Sequence, residues 1–298
     1  MDQISRICRW GIFILVMVAR NLKWLIILLL SGNERPWPVL NFKMMLCARK
    51  AGFDLKGKSI HKQLILNRVR ERKSTEIMNT FLRPDDVILE LGANIGYYVL
   101  IEAKRLSDRG FIYAVEPDPE NFELLKRNVT LNHLTNIELN ALAMSSHKGT
   151  AKLYQGTACN LHSLINYDDS AAATYIEVQT DTVDDFLANR RPITFIRMDI
   201  EGYETEIIKT MATTLRSPSL ERLFIEIHPH LVDPKEMKSF LVVLQNHHFG
   251  ITHAVSRDTH ERFVLGQSKV ERLSLQELIS DPRIVEEPIG FQLFLQRA

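Results

Sequence analysis

Cysteine is scarce and shows no pairing pattern. Cys8, Cys47 and Cys159 lie far apart, are odd in number, and no C-x-x-C occurs. A cysteine zinc site and a disulfide framework are thereby excluded, and a reducing, cytosolic setting for the body of the chain follows. Net charge is also missing. The 37 Lys and Arg nearly cancel the 36 Asp and Glu, so no basic field points to nucleic acid and no acidic tail to a solvating role. Internal repeats and low-complexity tracts are absent. So is G-x-G-x-x-G, the glycine fingerprint of dinucleotide binding.

What is present suits one large domain with appendages. The 298 residues are 45% apolar and 24% charged, enough for a sheet covered on both faces. The spacing divides the chain into a hydrophobic N-terminal segment (1–35), a helical and rather basic extension (36–84) and a main α/β domain (85–298). Within the extension, NERPWP (33–38) reads as a breaker-rich linker, and the charge run of LILNRVRERK (64–73) as a solvated helix face.

Residues 10–30, WGIFILVMVARNLKWLIILLL, are long enough to span a bilayer. Their aliphatic and Phe side chains favour insertion by about 4–8 kcal/mol, and central Arg20 and Lys23 oppose it by about 5–7 kcal/mol. A simple span is therefore not secured. On a helix Arg9, Arg20 and Lys23 share one side, as in an in-plane amphipathic helix, but Phe13, Val16 and Ile27 share it too. No small-residue cleavage site follows, which argues against a removable signal peptide. Membrane association on the cytoplasmic face is the expectation, and a packing or dimer helix the alternative.

From residue 85 the text alternates. Strand-like runs occur at 87–93, 111–117, 136–143, 193–200, 222–229 and 251–256, with helix-like stretches at 97–107, 119–132, 203–214 and 234–247. This pattern predicts a doubly wound, mainly parallel, Rossmann-like sheet. FQLFLQR (291–297) predicts an antiparallel last strand. Between 149 and 181 two strand-like runs flank a polar loop, an insertion placed to help cover a site.

In such sheets ligands bind beyond the strands' carboxyl ends. There VILELGANIGYYV (87–99) turns through Gly92, Ala93, Asn94 and Gly96 into a helix starting near Tyr97. The acid before the turn, Glu90, would repel a pyrophosphate but favour an ammonium group. S-adenosylmethionine fits, having no phosphate and a cationic amino-acid end. Glu116, followed by Pro117, stands twenty residues after Gly96 and suits the two ribose hydroxyls. Asp118 suits either the ligand or the next helix's N-terminus.

ELGANIGYY, AVEPDPENFELLKRN and FIRMDIEGYE together resemble the FkbM-like branch of class I S-adenosylmethionine-dependent methyltransferases, over residues 75–256. The D-x-E-G-x-E element at Asp199, Glu201, Gly202 and Glu204 is its most specific part. Arg197 stands where the family often has lysine. The resemblance implies a Rossmann-like methyltransferase sheet and O-methylation of a sugar, glycolipid or similar small molecule. The strand end Ala141-Leu142-Ala143 lies where the adenine should pass.

Three residues are candidates for the chemistry. Asp199 and Glu201 could orient the methionine end or the acceptor, or take its proton; helix capping is the alternative. His228, ending the strand FIEIHPH, has a side chain whose ordinary pKa suits a proton acceptor. Asp199, Glu201 and Glu226 carry oxygens suited to a divalent cation, but no spacing demands a metal. Asn160 and Ser163 are candidate substrate contacts or plain loop residues. Two other functions compete: an NAD-linked oxidoreductase, disfavoured by the missing fingerprint, and a non-catalytic scaffold at a membrane.

Overall fold

The structure, a computed structural model, describes residues 2–30, 34–51, 59–156, 162–167, 174–257 and 268–298, with side chains from residue 13 onward. Asn160 lies outside the described residues. The chain opens with α1 (Asp2–Leu30), β1 (Arg35–Val39), β2 (Phe42–Leu46), α2 (Ala48–Ala51), α3 (Ile60–Asn67) and α4 (Arg72–Phe81). Then β3 (Val87–Leu91), α5 (Tyr97–Arg105), β4 (Phe111–Val115), α6 (Pro119–Leu131) and β5 (Ile137–Asn140) alternate. A small sheet follows, made of β6 (Ala143–Met144), β7 (Gly149–Tyr154) and β8 (Tyr175–Asp181). Alternation resumes with α7 (Val183–Leu187), β9 (Phe195–Met198), α8 (Glu204–Ile207), α9 (Ala212–Arg216), β10 (Arg222–Ile227), α10 (Pro234–Asn246) and β11 (Phe249–Ser256). After β12 (Lys269–Glu271) and two short helices, β13 (Phe291–Arg297) ends the fold.

The main sheet runs β12-β11-β13-β10-β9-β3-β4-β5. Strands β5, β4, β3, β9 and β10 are parallel, and β13 inserts antiparallel to both β10 and β11. The doubly wound sheet with an antiparallel last strand is thus the one the sequence predicts. Order reverses between β3 and β9, and their carboxyl ends open the crevice that holds the site.

Strand alternation sorts the core into two layers. Leu89, Leu91, Ile196, Met198, Leu223, Ile225 and Ile227 face one apolar cluster with Met237, Phe240 and Leu241 of α10. Ile88, Phe195, Phe224 and Phe294 face the other, with Val99 and Leu100 of α5 and Leu125 of α6. Each such aliphatic or Phe side chain contributes about 1.5–3 kcal/mol on burial. On this second face the same alternation also puts Glu90, Arg197, Glu226 and Gln292 inside, all nearly or fully buried. Glu90 is in register with Arg197, and Glu226 with Gln292.

The extension departs from the reading as linker and helix. Residues 35–46 form a β-hairpin, with Leu40 turning at φ 49°. Its second strand alternates buried and exposed positions, a period-two pattern. Both prolines of β1 occur at alternate positions, so their missing N–H groups fall on one edge, where β1 has no partner strand. The hairpin shares one core with the sheet: Val39, Phe42, Met44 and Leu46 are buried in the α5–α6 layer. Helix 203–214 is broken into α8, a 3-10 turn and α9. The strand predicted at 136–143 is split, β5 joining the main sheet and Ala143-Met144 pairing with β8.

Helix α1 lies against α2 and α3 through one face only. Trp24 is buried, and Lys62 donates to Asn21 Oδ1 (2.8 Å) while its ammonium sits over the Trp24 ring. Arg20 is half-buried and Lys23 is exposed. The opposite face exposes Ile14, Leu15, Val18, Leu22, Leu25, Ile26, Leu29 and Leu30.

Candidate active site

A cavity of about 890 Å³, open mouth included, lies at the carboxyl ends of β3, β4, β6 and β9. Its floor is the glycine turn. Gly92 adopts φ 79°, and a Cβ there would stand 2.0 Å from the carbonyl oxygen of Asp199, so only glycine lets the ends of β3 and β9 approach so closely. Asn94 takes the left-handed conformation at φ 50° and Gly96 at φ 92°. The chain then enters α5 at Tyr97.

Glu116 closes the turn from β4. One carboxylate oxygen accepts from the Asn94 N–H (2.7 Å), the other from the Asp118 N–H (3.0 Å). Burial pushes its carboxyl up to about 7 despite these bonds. Asp118 caps α6, accepting from the N–H groups of Glu120 and Asn121 (3.0 and 2.9 Å). The capping reading of that residue is thus the geometry found. Ala143 and Met144, with Leu153 and Leu164 of the insertion, form the apolar wall beyond Glu116.

Glu90 does not line this cavity. It is fully buried beneath the turn and accepts from Arg197 Nη1 (2.6 Å). The expectation that it faces a ligand ammonium is corrected: alternation along β3 directs it to the layer occupied by Arg197 and Tyr98. Burial pushes its carboxyl up to about 7, against the opposing pull of Arg197. Neighbouring Glu102 is pushed well above the usual carboxylate range by burial and by Glu90. Arg197 stacks on Tyr98 (4.0 Å) and donates from Nη2 to Asp199 (3.1 Å).

Asp199 and Glu201 line the far end of the cavity. Burial and the nearby Glu226 raise the Asp199 carboxyl; burial pushes Glu201 up to about 8. Glu201 and Gly202 are both left-handed (φ 49° and 91°). The insertion pins this turn, Ser163 Oγ and Tyr167 OH donating to the Glu201 carbonyl at 2.9 and 3.0 Å. Glu204 is fully buried and accepts from the N–H groups of Ile200 and Gly202 (both 3.3 Å).

His228 does not line the cavity. Its Nδ1 lies 3.1 Å from Glu204, and its Nε2 lies 3.4 Å from Glu226 and 3.5 Å from Glu201. Burial would lower its pKa, but these three carboxylates outweigh burial and hold it well above the ordinary value. The ring is thus enclosed by three carboxylates rather than free at the rim of the site, where the sequence reading put a proton acceptor. Burial opposes ionisation of Glu226 too, yet Arg257 (2.5 Å) and His228 hold it well below the carboxylate range. Asp199, Glu226 and His228 bring one ligand atom each within 4.8 Å of one another, the donor set here best placed for a metal ion. Glu226 already accepts from Arg257 and Gln292.

Sequence reasoning missed Arg70. The run 64–73 is not one solvated face: α3 ends at Asn67, Arg68 and Glu71 are left-handed (φ 59° and 47°), and α4 starts afresh. The break turns Arg70 and Glu71 inward, leaving their side chains 10% and 2% exposed. Glu71 accepts from Arg70, Arg257, Tyr98 and Gln292 (2.6–2.8 Å). Burial would raise Glu71, but the two guanidiniums hold it below its ordinary value.

A family model described as the methyltransferase FkbM domain matches residues 90–251. A curated relative, hexuronic acid methyltransferase AglP of Haloferax volcanii, is 27% identical over 157 residues, covering 53% of this chain and 62% of that protein. Among solved structures, a methyltransferase FkbM from Methylobacillus flagellatus superposes with a TM-score of 0.38 at 17% identity, over 55% of this chain and 38% of that one. A SAM-dependent methyltransferase from Aquifex aeolicus gives 0.38 at 12% identity, over 75% and 88%.

Proposed function

The chain belongs to the FkbM-domain family of methyltransferases, and from that premise we propose that it transfers the methyl group of S-adenosylmethionine to a hydroxyl of a sugar, glycolipid or similar small molecule. One observation carries this reading: a single cavity holds Glu116 at one end and Asp199 with Glu201 at the other, with the glycine turn between them.

The residues present fit the cofactor. Ala143, Met144, Leu153 and Leu164 offer an apolar slot for a purine. Glu116 spends one lone pair per oxygen on the turn and retains others for ribose hydroxyls. Arg197 engages one oxygen of Asp199, leaving the other to accept from an ammonium group. When bound, S-adenosylmethionine supplies a methyl group on a good leaving group, the sulfonium. The protein's task is to align the acceptor, exclude water and remove one proton.

Glu201 is the base in this reading. It lines the cavity, and its raised pKa makes it a competent proton acceptor near neutral pH. His228 acts through Glu201: the imidazolium keeps that carboxyl from rising further. The relative AglP, a hexuronic acid methyltransferase, supports a sugar acceptor.

The exposed apolar face of α1 supports a seat at a membrane surface, the domain lying on the cytoplasmic side. Phe13–Leu30 is long and apolar enough to cross a bilayer, but its other face is spent on the domain, which favours an in-plane position.

Calorimetry with S-adenosylhomocysteine and NAD tests the cofactor assignment. Binding of the first alone, weakened about tenfold or more in Glu116→Ala, is expected. Binding of NAD, or of neither by folded protein, would overturn it.

A further inference from the structure

Arg70 is a buried cation with unspent donors. Its side chain lines the cavity and is only 10% exposed. Among the described residues, its one side-chain hydrogen bond runs from Nε to Glu71 (2.7 Å). Both terminal nitrogens, with four N–H groups, take no protein acceptor there.

The backbone beneath it is fixed with unusual care for a non-glycine loop. The Tyr97 hydroxyl bonds both the N–H and the carbonyl of Arg70 (3.1 and 3.0 Å), and Thr75 Oγ1 donates to the same carbonyl (2.8 Å). Tyr97 is the first residue after the glycine turn, so these bonds tie Arg70 to the turn. Glu71, held by Arg257, Tyr98 and Gln292, fixes the Nε edge of the guanidinium. What remains is the end-on pair of terminal nitrogens, a planar fork suited to a carboxylate.

We propose that Arg70 binds the carboxylate of the cofactor's methionine end. The inference rests on the methyl-transfer reading and deepens it. A zwitterionic amino-acid group needs an anion for its ammonium and, beside it, a cation for its carboxylate. Asp199 supplies the first. Arg70 and Asp199 line the same cavity, and Tyr97 ties the Arg70 backbone to the end of the glycine turn that packs on Asp199. Arg197, which also lines the cavity, is committed to Glu90 and Asp199. Arg70 is the cavity-lining arginine left for the second role. An acidic acceptor would offer the same carboxylate chemistry, so the test separates the two sources.

Full-length wild type, Arg70→Met and Arg70→Lys are titrated with S-adenosylhomocysteine, its decarboxylated analogue and 5′-methylthioadenosine. Arg70→Met is expected to weaken S-adenosylhomocysteine by about 10- to 100-fold, the range for losing one charge-assisted pair. The other two ligands lose nothing, and Arg70→Lys recovers part of the affinity. Their retained binding also shows that the variant is folded. Unchanged S-adenosylhomocysteine binding would overturn the inference, and joined to a raised KM for a uronic acid acceptor it would assign Arg70 to the acceptor instead. Equal losses for all three ligands would mark a structural role and overturn it too. Wild type that binds none of the three would overturn the methyl-transfer reading itself.

Discussion

Arg197 joins two acids that the sequence places on different strands, donating to Glu90 at 2.6 Å and to Asp199 at 3.1 Å. The acid before the glycine turn therefore acts through an arginine: Glu90 orients Arg197, and Arg197 orients Asp199. Removing the guanidinium while keeping the acids should be severe. Arg197→Met strands Glu90 in a dry layer and is expected to cost about 3–5 kcal/mol of stability. Glu90→Gln, which keeps an acceptor for Arg197, should cost less. Chemical denaturation of both variants checks the order; an Arg197→Met milder than Glu90→Gln would show that charge pairing does not hold the site together.

The closeness of β3 and β9 gives a second prediction. Gly92→Ala needs a left-handed alanine and pushes a methyl into the Asp199 carbonyl, 2.0 Å from the new Cβ. The conformation alone costs about 1–2 kcal/mol, and the clash adds to it. Lowered thermal stability and lost S-adenosylhomocysteine binding are expected together. In Gly202→Ala the obstruction is the Tyr167 hydroxyl, 2.1 Å away at the end of a side chain. Combining it with Tyr167→Leu should relieve the worst of the clash, leaving the backbone strain, a 3.1 Å approach to Leu231 Cβ and the lost Tyr167–Glu201 hydrogen bond.

These contacts show how far the sequence could be read. The strand order does not follow from local signals, but the mainly parallel sheet and the antiparallel β13 do, through alternation and spacing. So does the insertion over the site, where Ser163 and Tyr167 meet the Glu201 carbonyl. The partner of Glu90 did not follow, because it comes 107 residues later and only strand register makes them neighbours. Arg70 was hidden for a different reason. Its inward turn depends on Arg68 and Glu71 adopting left-handed backbone without glycine, so the charge run gave no sign of a break. The acid cage around His228 draws on α8, the turn before it and β10, and no local pattern joins its members.

Acidity in the site makes a prediction about pH. The carboxyls of Glu90 and Glu116 (about 7) and Glu201 (about 8) are raised in the fold. A raised carboxyl stabilises the fold below its unfolded value and loses that contribution as pH rises through the folded one. His228, also raised, works in the same direction. The ligand-free protein should therefore lose thermal stability as pH rises from about 4.5, the ordinary carboxylate value, through about 8. A cationic ligand favours the ionised acids, so the melting shift given by S-adenosylmethionine should grow over the same range. Glu201→Gln should flatten both trends, and a melting temperature that rises across the range would refute the assignment.

The same residue sets the expected rate profile. Methyl transfer should show an acidic limb governed by Glu201, with kcat rising toward about pH 8. Glu201→Gln should lower kcat by about 10²- to 10⁴-fold while leaving cofactor binding nearly intact. His228→Gln separates positioning from chemistry. Removing the imidazolium takes away the main influence that lowers the Glu201 carboxyl, so the limb should move to higher pH with activity recovered there. Activity lost equally at every pH would instead make His228 the proton acceptor.

Helix α1 offers a test that leaves the chemistry untouched. Leu22 and Leu29 are 57% and 75% exposed on the face turned away from the domain, so replacing both with Glu removes no core contact. An in-plane helix holds the membrane through that face alone, and two buried carboxylates there are costly. The double variant is expected to leave the membrane pellet for the supernatant and to bind S-adenosylhomocysteine as wild type does. Arg20, turned toward the domain, gives the contrast: Arg20→Leu should not strengthen membrane binding, because that side chain does not meet lipid. If the double Glu variant still pellets and Arg20→Leu binds more tightly, the helix must leave the domain and cross the bilayer.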